Sequence, residues 1–277
     1  MKKTVALPIV LISSLLAAAP ALAQTTAPLA TGLAPEVPAT AMPSDEQSYR
    51  REVVYGLNFN TQGGLIGGVN MRVAKVMDER WLRFWSLEGV AFKNPKEERL
   101  TSQATGGTFT RYKVNYALAL RPSIGMQRIL FRKAADSGVQ VNGLLSAGPS
   151  IGILMPYYVT YDFTWAARGT IGPNDDIRDV QFDPSQGHNS NYIIDRAPLF
   201  SGVSQTSFVP GGHLRGGLSF EYGRYRDAVA GVEVGFLVEA YTKRLKVLDT
   251  GNADDFNALN QSYYPSVYLT LYLGHRN

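Results

Sequence analysis

Between residues 212 and 241 the side chains alternate in character through two successive runs. Leu214, Gly216, Leu218, Phe220 and Tyr222 interleave with Arg215, Gly217, Ser219 and Glu221. After a polar interruption at 224–227, Ala228, Ala230, Val232, Val234, Phe236 and Val238 interleave with Gly231, Glu233, Gly235, Leu237 and Glu239. A period of two over this length makes each run a β-strand with one apolar and one polar face, and the short break makes the pair a hairpin. The polar face narrows the choice further. A strand face that meets water is crowded with Lys, Glu and Thr, whereas this one is Gly and Ser with isolated Arg and Glu. Small residues with sparse, mixed charge suit the narrow inside of a closed barrel. The apolar face then looks outward, and outward means lipid.

The same alternation recurs along the chain. Val53, Tyr55, Leu57 and Phe59 oppose Val54, Gly56, Asn58 and Asn60; Val69, Met71 and Val73 oppose Asn70, Arg72 and Ala74. The run 81–92 has aromatics on both faces, Trp81 and Trp85 against Phe84 and Phe92, and Glu88 favours the second face as the inner one. In the fourth run Tyr116, Leu118, Leu120 and Ile124 oppose Lys113, Ala117, Arg121 and Ser123, with Pro122 predicting a kink or bulge. A fifth run spans 139–155 and the last spans 266–274. With the hairpin this makes eight strands. The long connections, 93–109, 162–210 and 249–262, follow strands three, five and seven, so antiparallel alternation puts them all at one end. Short turns at one end and long loops at the other are the asymmetry of a barrel inserted from the periplasm.

The N-terminus sets the compartment. Lys2 and Lys3 precede an apolar stretch, and Ala21-Leu22-Ala23 is a signal-peptidase pattern, so residues 1–23 are predicted to be a cleaved signal peptide. Residues 24–48, rich in Ala, Pro and Thr, are predicted to be a disordered spacer ahead of the barrel at 49–277. The chain has no Cys, which excludes a lipid anchor on Cys and any disulfide framework. The formal charge of +4 falls to about +2 once Lys2 and Lys3 leave, too little to argue for nucleic acid.

These runs, the Ala21-Leu22-Ala23 signal and the final strand around Val267, Leu269, Leu271 and Leu273 resemble the small eight-stranded outer-membrane barrels of Gram-negative bacteria. The resemblance is one of pattern and covers residues 52–277. It implies an all-β fold, an antiparallel transmembrane barrel, in contact with outer-membrane lipid and lipopolysaccharide and inserted by the barrel-assembly machinery. Such barrels commonly end in an aromatic residue, whereas this chain ends Gly274-His275-Arg276-Asn277.

An eight-stranded barrel is just wide enough to be filled by side chains. Arg72, Lys113, Arg121 and Arg215 are expected to face inward with Glu88, Glu221, Glu233 and Glu239, and buried charges of both signs must pair. The expected outcome is a salt-bridged plug; the alternative is a narrow porin-like channel for ions or small solutes. In the longest loop Asp175, Asp176, Asp179 and Asp183 form a candidate cation-binding cluster with interspersed Arg168, Arg178 and Arg196, lacking a dedicated calcium-loop signature. His188 and Ser190, two apart, resemble the His-x-Ser of outer-membrane phospholipases and lipid A deacylases, which implies a lipid esterase as a second alternative. Neither His213 nor His275 has metal-ligand spacing with His188, and no cofactor is implied. The leading expectation is a structural or surface-interaction protein acting through its outer loops on an extracellular ligand or partner.

Overall fold

The computed structural model describes residues 49–62, 64–102, 105–132, 138–169, 176–222 and 228–277, and only the backbone of 64–66. The predicted signal peptide and the whole of the predicted spacer lie outside these residues, as does Asp175. In chain order the strands are β1 (Arg51–Asn60), β2 (Gly64–Val76), β3 (Trp81–Phe92), the short β4 (Arg99–Thr101) and β5 (Thr108–Thr110), then β6 (Asn115–Phe131) and β7 (Val139–Pro156). Next come β8 (Tyr158–Asp162), α1 (Phe163–Arg168), β9 (Ile177–Gln181) and β10 (Ile193–Arg196), followed by β11 (Ser207–Tyr222), β12 (Ala228–Tyr241), α2 (Ala253–Leu259) and β13 (Tyr263–Arg276).

Eight of these close an antiparallel barrel in the order β1-β13-β12-β11-β7-β6-β3-β2. Each long strand pairs with the next long strand in sequence. The last pairs with the first, from Glu52 opposite Arg276 to Asn60 opposite Tyr268. Closure removes the unpaired edge that a sheet cannot leave exposed in hydrocarbon.

Orientation follows from exposure. On β12 Val234 is 40% and Phe236 71% exposed, while Glu233 is 3% exposed; on β13 Leu269 is 38% exposed between buried Tyr268 and Thr270. Apolar side chains therefore cover the outside and polar ones fill the centre, the arrangement of a barrel standing in a bilayer. On β3 the inner face carries Leu82, Phe84, Glu88 and Phe92, and the outer face Trp81 and Trp85. Glycines on the inner wall make room for tyrosines: a Cβ at Gly217 would stand 2.5 Å, and one at Gly235 2.7 Å, from the Tyr268 hydroxyl.

Pro122 does not shift the register. The β6–β7 pairing leaves off after Leu120–Ile151 and resumes in the same register at Ile124–Ala147. The irregularity falls instead at Ile129–Phe131, near the turn. A proline lacks one donor, and in β6 the strand tolerates that loss without an extra residue.

The segment expected to be a patternless loop from 162 builds a structured cap. Together with β8, which a single residue separates from β7, it forms a three-stranded sheet of order β10-β8-β9. β4 and β5 pair as a small hairpin within the first long connection. Asp162 caps α1, its side chain accepting from Trp165 N at 2.8 Å, and Gly169 closes it with φ 72°. Phe109, Val114, Tyr157, Val159, Tyr161, Phe182 and Ile193 bury one another as the core of this cap.

Candidate functional site: the barrel interior and its outer mouth

The strand pleat points every second side chain inward, and the register decides which of them meet. Arg121 on β6 donates to Glu239 on β12 twice, Nε to Oε1 at 2.9 Å and Nη2 to Oε2 at 2.7 Å. Arg121 also lies 3.6 Å from Glu88. Arg215 joins Glu88 at 3.1 Å to Glu233 at 2.9 Å, and Arg72 closes on the other oxygen of Glu233 at 2.8 Å. Asn58 donates to Glu88, and the Tyr268 hydroxyl to Glu233 at 2.8 Å. Arg72, Glu88, Arg121, Arg215, Glu233 and Glu239 thus form one connected network across the lumen.

The inner aromatics belong to this network. The guanidinium of Arg215 lies 3.9 Å above the Tyr268 ring, that of Arg121 5.4 Å above Phe92, and that of Arg72 5.5 Å from both Phe84 and Tyr272. A ring face attracts a cation without presenting a polar group that needs its own partner. This accounts for aromatics on both faces of β3: the outer pair meets lipid and the inner pair walls the arginines.

A second network sits at the short-turn end. Arg276 on β13 donates to both oxygens of Glu221, at 2.7 and 2.5 Å, and to Glu52 at 2.9 Å, and its guanidinium stacks 4.3 Å from the Tyr49 ring. The alternation of the last strand runs on through Tyr272 and Gly274 to Arg276, all inward. Continuing that period by one step past Gly274 is the signal that points to Arg276.

The outer mouth is closed by apolar side chains. Leu245, Val247 and Leu248, from the connection between β12 and β13, pack onto Phe92, Ala117, Ala119, Leu154, Val209, Tyr241 and Tyr264 of the barrel rim. Asn260, fully buried, fixes this lid. Its side chain accepts from Val247 N at 2.8 Å and Leu248 N at 3.1 Å, and donates to Leu248 O at 2.8 Å.

Lys113 does not enter the lumen network. It precedes β6, bridges to Leu248 at the rim, and pairs with Glu97 at 2.9 Å. Burial lowers its pKa below the usual lysine value, with Glu97 opposing that shift in part.

No family model matches the chain, and no curated protein matches it. Among solved structures it is similar to Ail, the attachment invasion locus protein of Yersinia pestis, at 10% identity over 84% of this chain and 99% of that one, with a TM-score of 0.35. The complex of Ail with the heparin analogue sucrose octasulfate gives 10% identity, 82% and 97% coverage and a TM-score of 0.33. Neisserial surface protein A gives 8% identity, 83% and 97% coverage and a TM-score of 0.37. Likenesses of this strength bear on no function, and the fold stands on the strand pairing itself. The chain is an eight-stranded transmembrane barrel.

The loop candidates among the described residues do not converge. Asp176 pairs with Arg178 at 2.7 Å; Asp179 accepts from Thr160 at 2.7 Å; Asp183 accepts from Ser185 N at 3.0 Å and Oγ at 2.6 Å. Among the described residues no three His, Asp or Glu side chains gather as metal ligands. His188 packs between Tyr161, Phe163 and Phe182, and its Nδ1 accepts from Asp183 N at 3.2 Å. Ser190 opens a 3-10 turn, and its hydroxyl is buried with no hydrogen-bond partner among the described residues.

Proposed function

We propose that this chain is an outer-membrane barrel of Gram-negative bacteria with a filled, non-conducting interior, whose folded outer cap is the working surface and meets an extracellular ligand or protein. The observation that carries this reading is the second hydrophobic core outside the barrel. At the other end the same strands are joined by short turns, so the barrel alone does not need fifty residues between β7 and β11. Long ordered connections on a rigid scaffold are where binding residues concentrate. The paired Arg121 and Glu239 beneath the Leu245–Leu248 lid favour a plug over a narrow channel. Lipopolysaccharide and outer-membrane phospholipid surround the wall in this reading, and the barrel-assembly machinery inserts it.

Because the chain has no Cys, single cysteines report topology without background. Ala258→Cys in α2, on the outer connection between β12 and β13, should react with a membrane-impermeant maleimide on intact cells, and Arg80→Cys in the β2–β3 turn should react only after lysis. The purified protein should give no discrete conductance steps in planar bilayers. The reverse labelling pattern overturns the orientation, and regular steps overturn the plug.

A further inference from the structure

At the short-turn end the outer wall changes character. Arg51 on β1 stands directly opposite Lys75 on β2, and Lys75 directly opposite Arg83 on β3. Arg128 on β6, opposite Trp81, continues the row one strand further. All four side chains are exposed on the outer face of the barrel. Directly opposed side chains on neighbouring strands lie close enough to interact strongly, and like charges so placed oppose the pairing. None of the four has an ion pair among the described residues. The strands nonetheless pair there without a register shift. An anion from outside the protein would relieve this repulsion.

The surroundings say what kind of anion. Trp85 and Trp81 stand beside the cations, the Arg83 guanidinium 5.9 Å from the Trp85 ring and that of Arg128 5.3 Å from the Trp81 ring. Towards the middle of the wall come exposed Met71, Leu87 and Ile124. With Val73 and Met77, the residues Arg51, Lys75, Arg83 and Trp85 line a hollow of 880 Å³ on this face. The cations stand between Trp81 at the strand end and Trp85 further in, with the apolar side chains beyond Trp85, so phosphate, interfacial and acyl-chain partners of a phospholipid lie side by side on this face. A water-soluble anion would use the cations and have no need of the rings and the apolar wall continuous with them.

We propose that Arg51, Lys75, Arg83 and Arg128 form a site for the headgroups of anionic phospholipids in the leaflet at the short-turn end, which is the periplasmic leaflet in the orientation proposed above. The site rests on that reading of the barrel as a membrane protein, and the test separates the two. The full chain is reconstituted in phosphatidylcholine vesicles containing phosphatidylglycerol, with bromine on the acyl chains of one lipid or the other. Brominated phosphatidylglycerol should quench the tryptophan emission roughly twofold more than brominated phosphatidylcholine at the same mole fraction, and the excess should shrink as salt is raised. In Arg51→Gln/Lys75→Gln/Arg83→Gln the two lipids should quench alike, and Arg51→Lys/Arg83→Lys should keep the excess.

Equal quenching in the unaltered chain overturns the site, while leaving the membrane reading intact if both lipids quench. Absence of quenching by either lipid overturns the membrane reading itself. An excess that survives in the triple variant assigns the preference elsewhere and also overturns the site. Should the triple variant fail to fold, the salt dependence of the unaltered chain decides, since an excess insensitive to salt is not held by these cations.

Discussion

Arg121 and Glu239 face each other across the lumen through two charge-assisted hydrogen bonds of 2.9 and 2.7 Å, from strands that are not neighbours in the barrel. The Arg121 side chain is 2% exposed and that of Glu239 is fully buried. Removing one partner strands a charge in a dry interior, whereas replacing both removes the charge altogether. Arg121→Met should cost about 3–5 kcal/mol, and Arg121→Met/Glu239→Leu should recover most of the loss. Urea unfolding of the refolded barrel in lipid measures both; a double variant as weak as the single one would show that the pair is not the source of the effect.

At the short-turn end the last strand is held by a buried cation. Arg276 sits between Glu52 and Glu221, all three buried. Arg276→Met should destabilise by about 3–5 kcal/mol or more, because two carboxylates lose one guanidinium. The barrel should convert from its compact to its extended gel form at a clearly lower temperature. A conversion temperature equal to that of the unaltered chain removes Arg276 from the closure of β1 on β13.

Asn260 ties the lid to itself through three bonds to Val247 and Leu248. Asn260→Ala leaves two buried amide donors and a carbonyl without partners, at about 1–3 kcal/mol each before water enters. Hydrogen exchange at Val247 and Leu248 should quicken by at least about tenfold, with the barrel strands unchanged. Uniform acceleration over the whole chain would mean instead that the lid and barrel unfold together.

Burial raises the pKa of Tyr157 and of Tyr161 in the cap core above the ordinary tyrosine value of 10.0. A group whose folded pKa is raised stabilises the fold below its unfolded value and stops doing so as pH climbs through the folded one. The cap should therefore loosen above pH 10 while the barrel persists. With Trp81→Phe/Trp85→Phe, the remaining Trp165 of α1 should shift its emission to the red there, with far-ultraviolet dichroism retained. No shift short of global unfolding would sink this account.

Ser190→Ala removes a buried hydroxyl that has no partner among the described residues. Stability should hold or rise by about 1 kcal/mol. Fatty-acid release from ester lipids should be the same before and after the change. A loss of release specific to Ser190→Ala would carry the esterase reading that His188 and Ser190 raise.

Alternation over residues 212–241 is enough to say which side chains look inward, because a strand has only two faces and a closed wall has only two environments. The spacing of short and long connections likewise fixes which ends lie together. Contacts between strands that are not neighbours are another matter. Arg121 meets Glu239, and Arg276 meets Glu221, because of strand order and register around a closed circle, and no single run of sequence encodes either. Lys113 shows the same limit in reverse: its parity matches the inner face, yet it stands above the strand at the rim and takes Glu97 as its partner. The cap is the least legible part, since β8, β9 and β10 are four or five residues long, too short for a period to stand out. They are held by Tyr157, Val159, Phe182 and Ile193 packing over long separations in the chain. The wall, inside and out, is written in the chain because its pattern is local; the pairing of buried charges, the lid and the cap come from the folded whole, because they arise only where distant segments exclude water together.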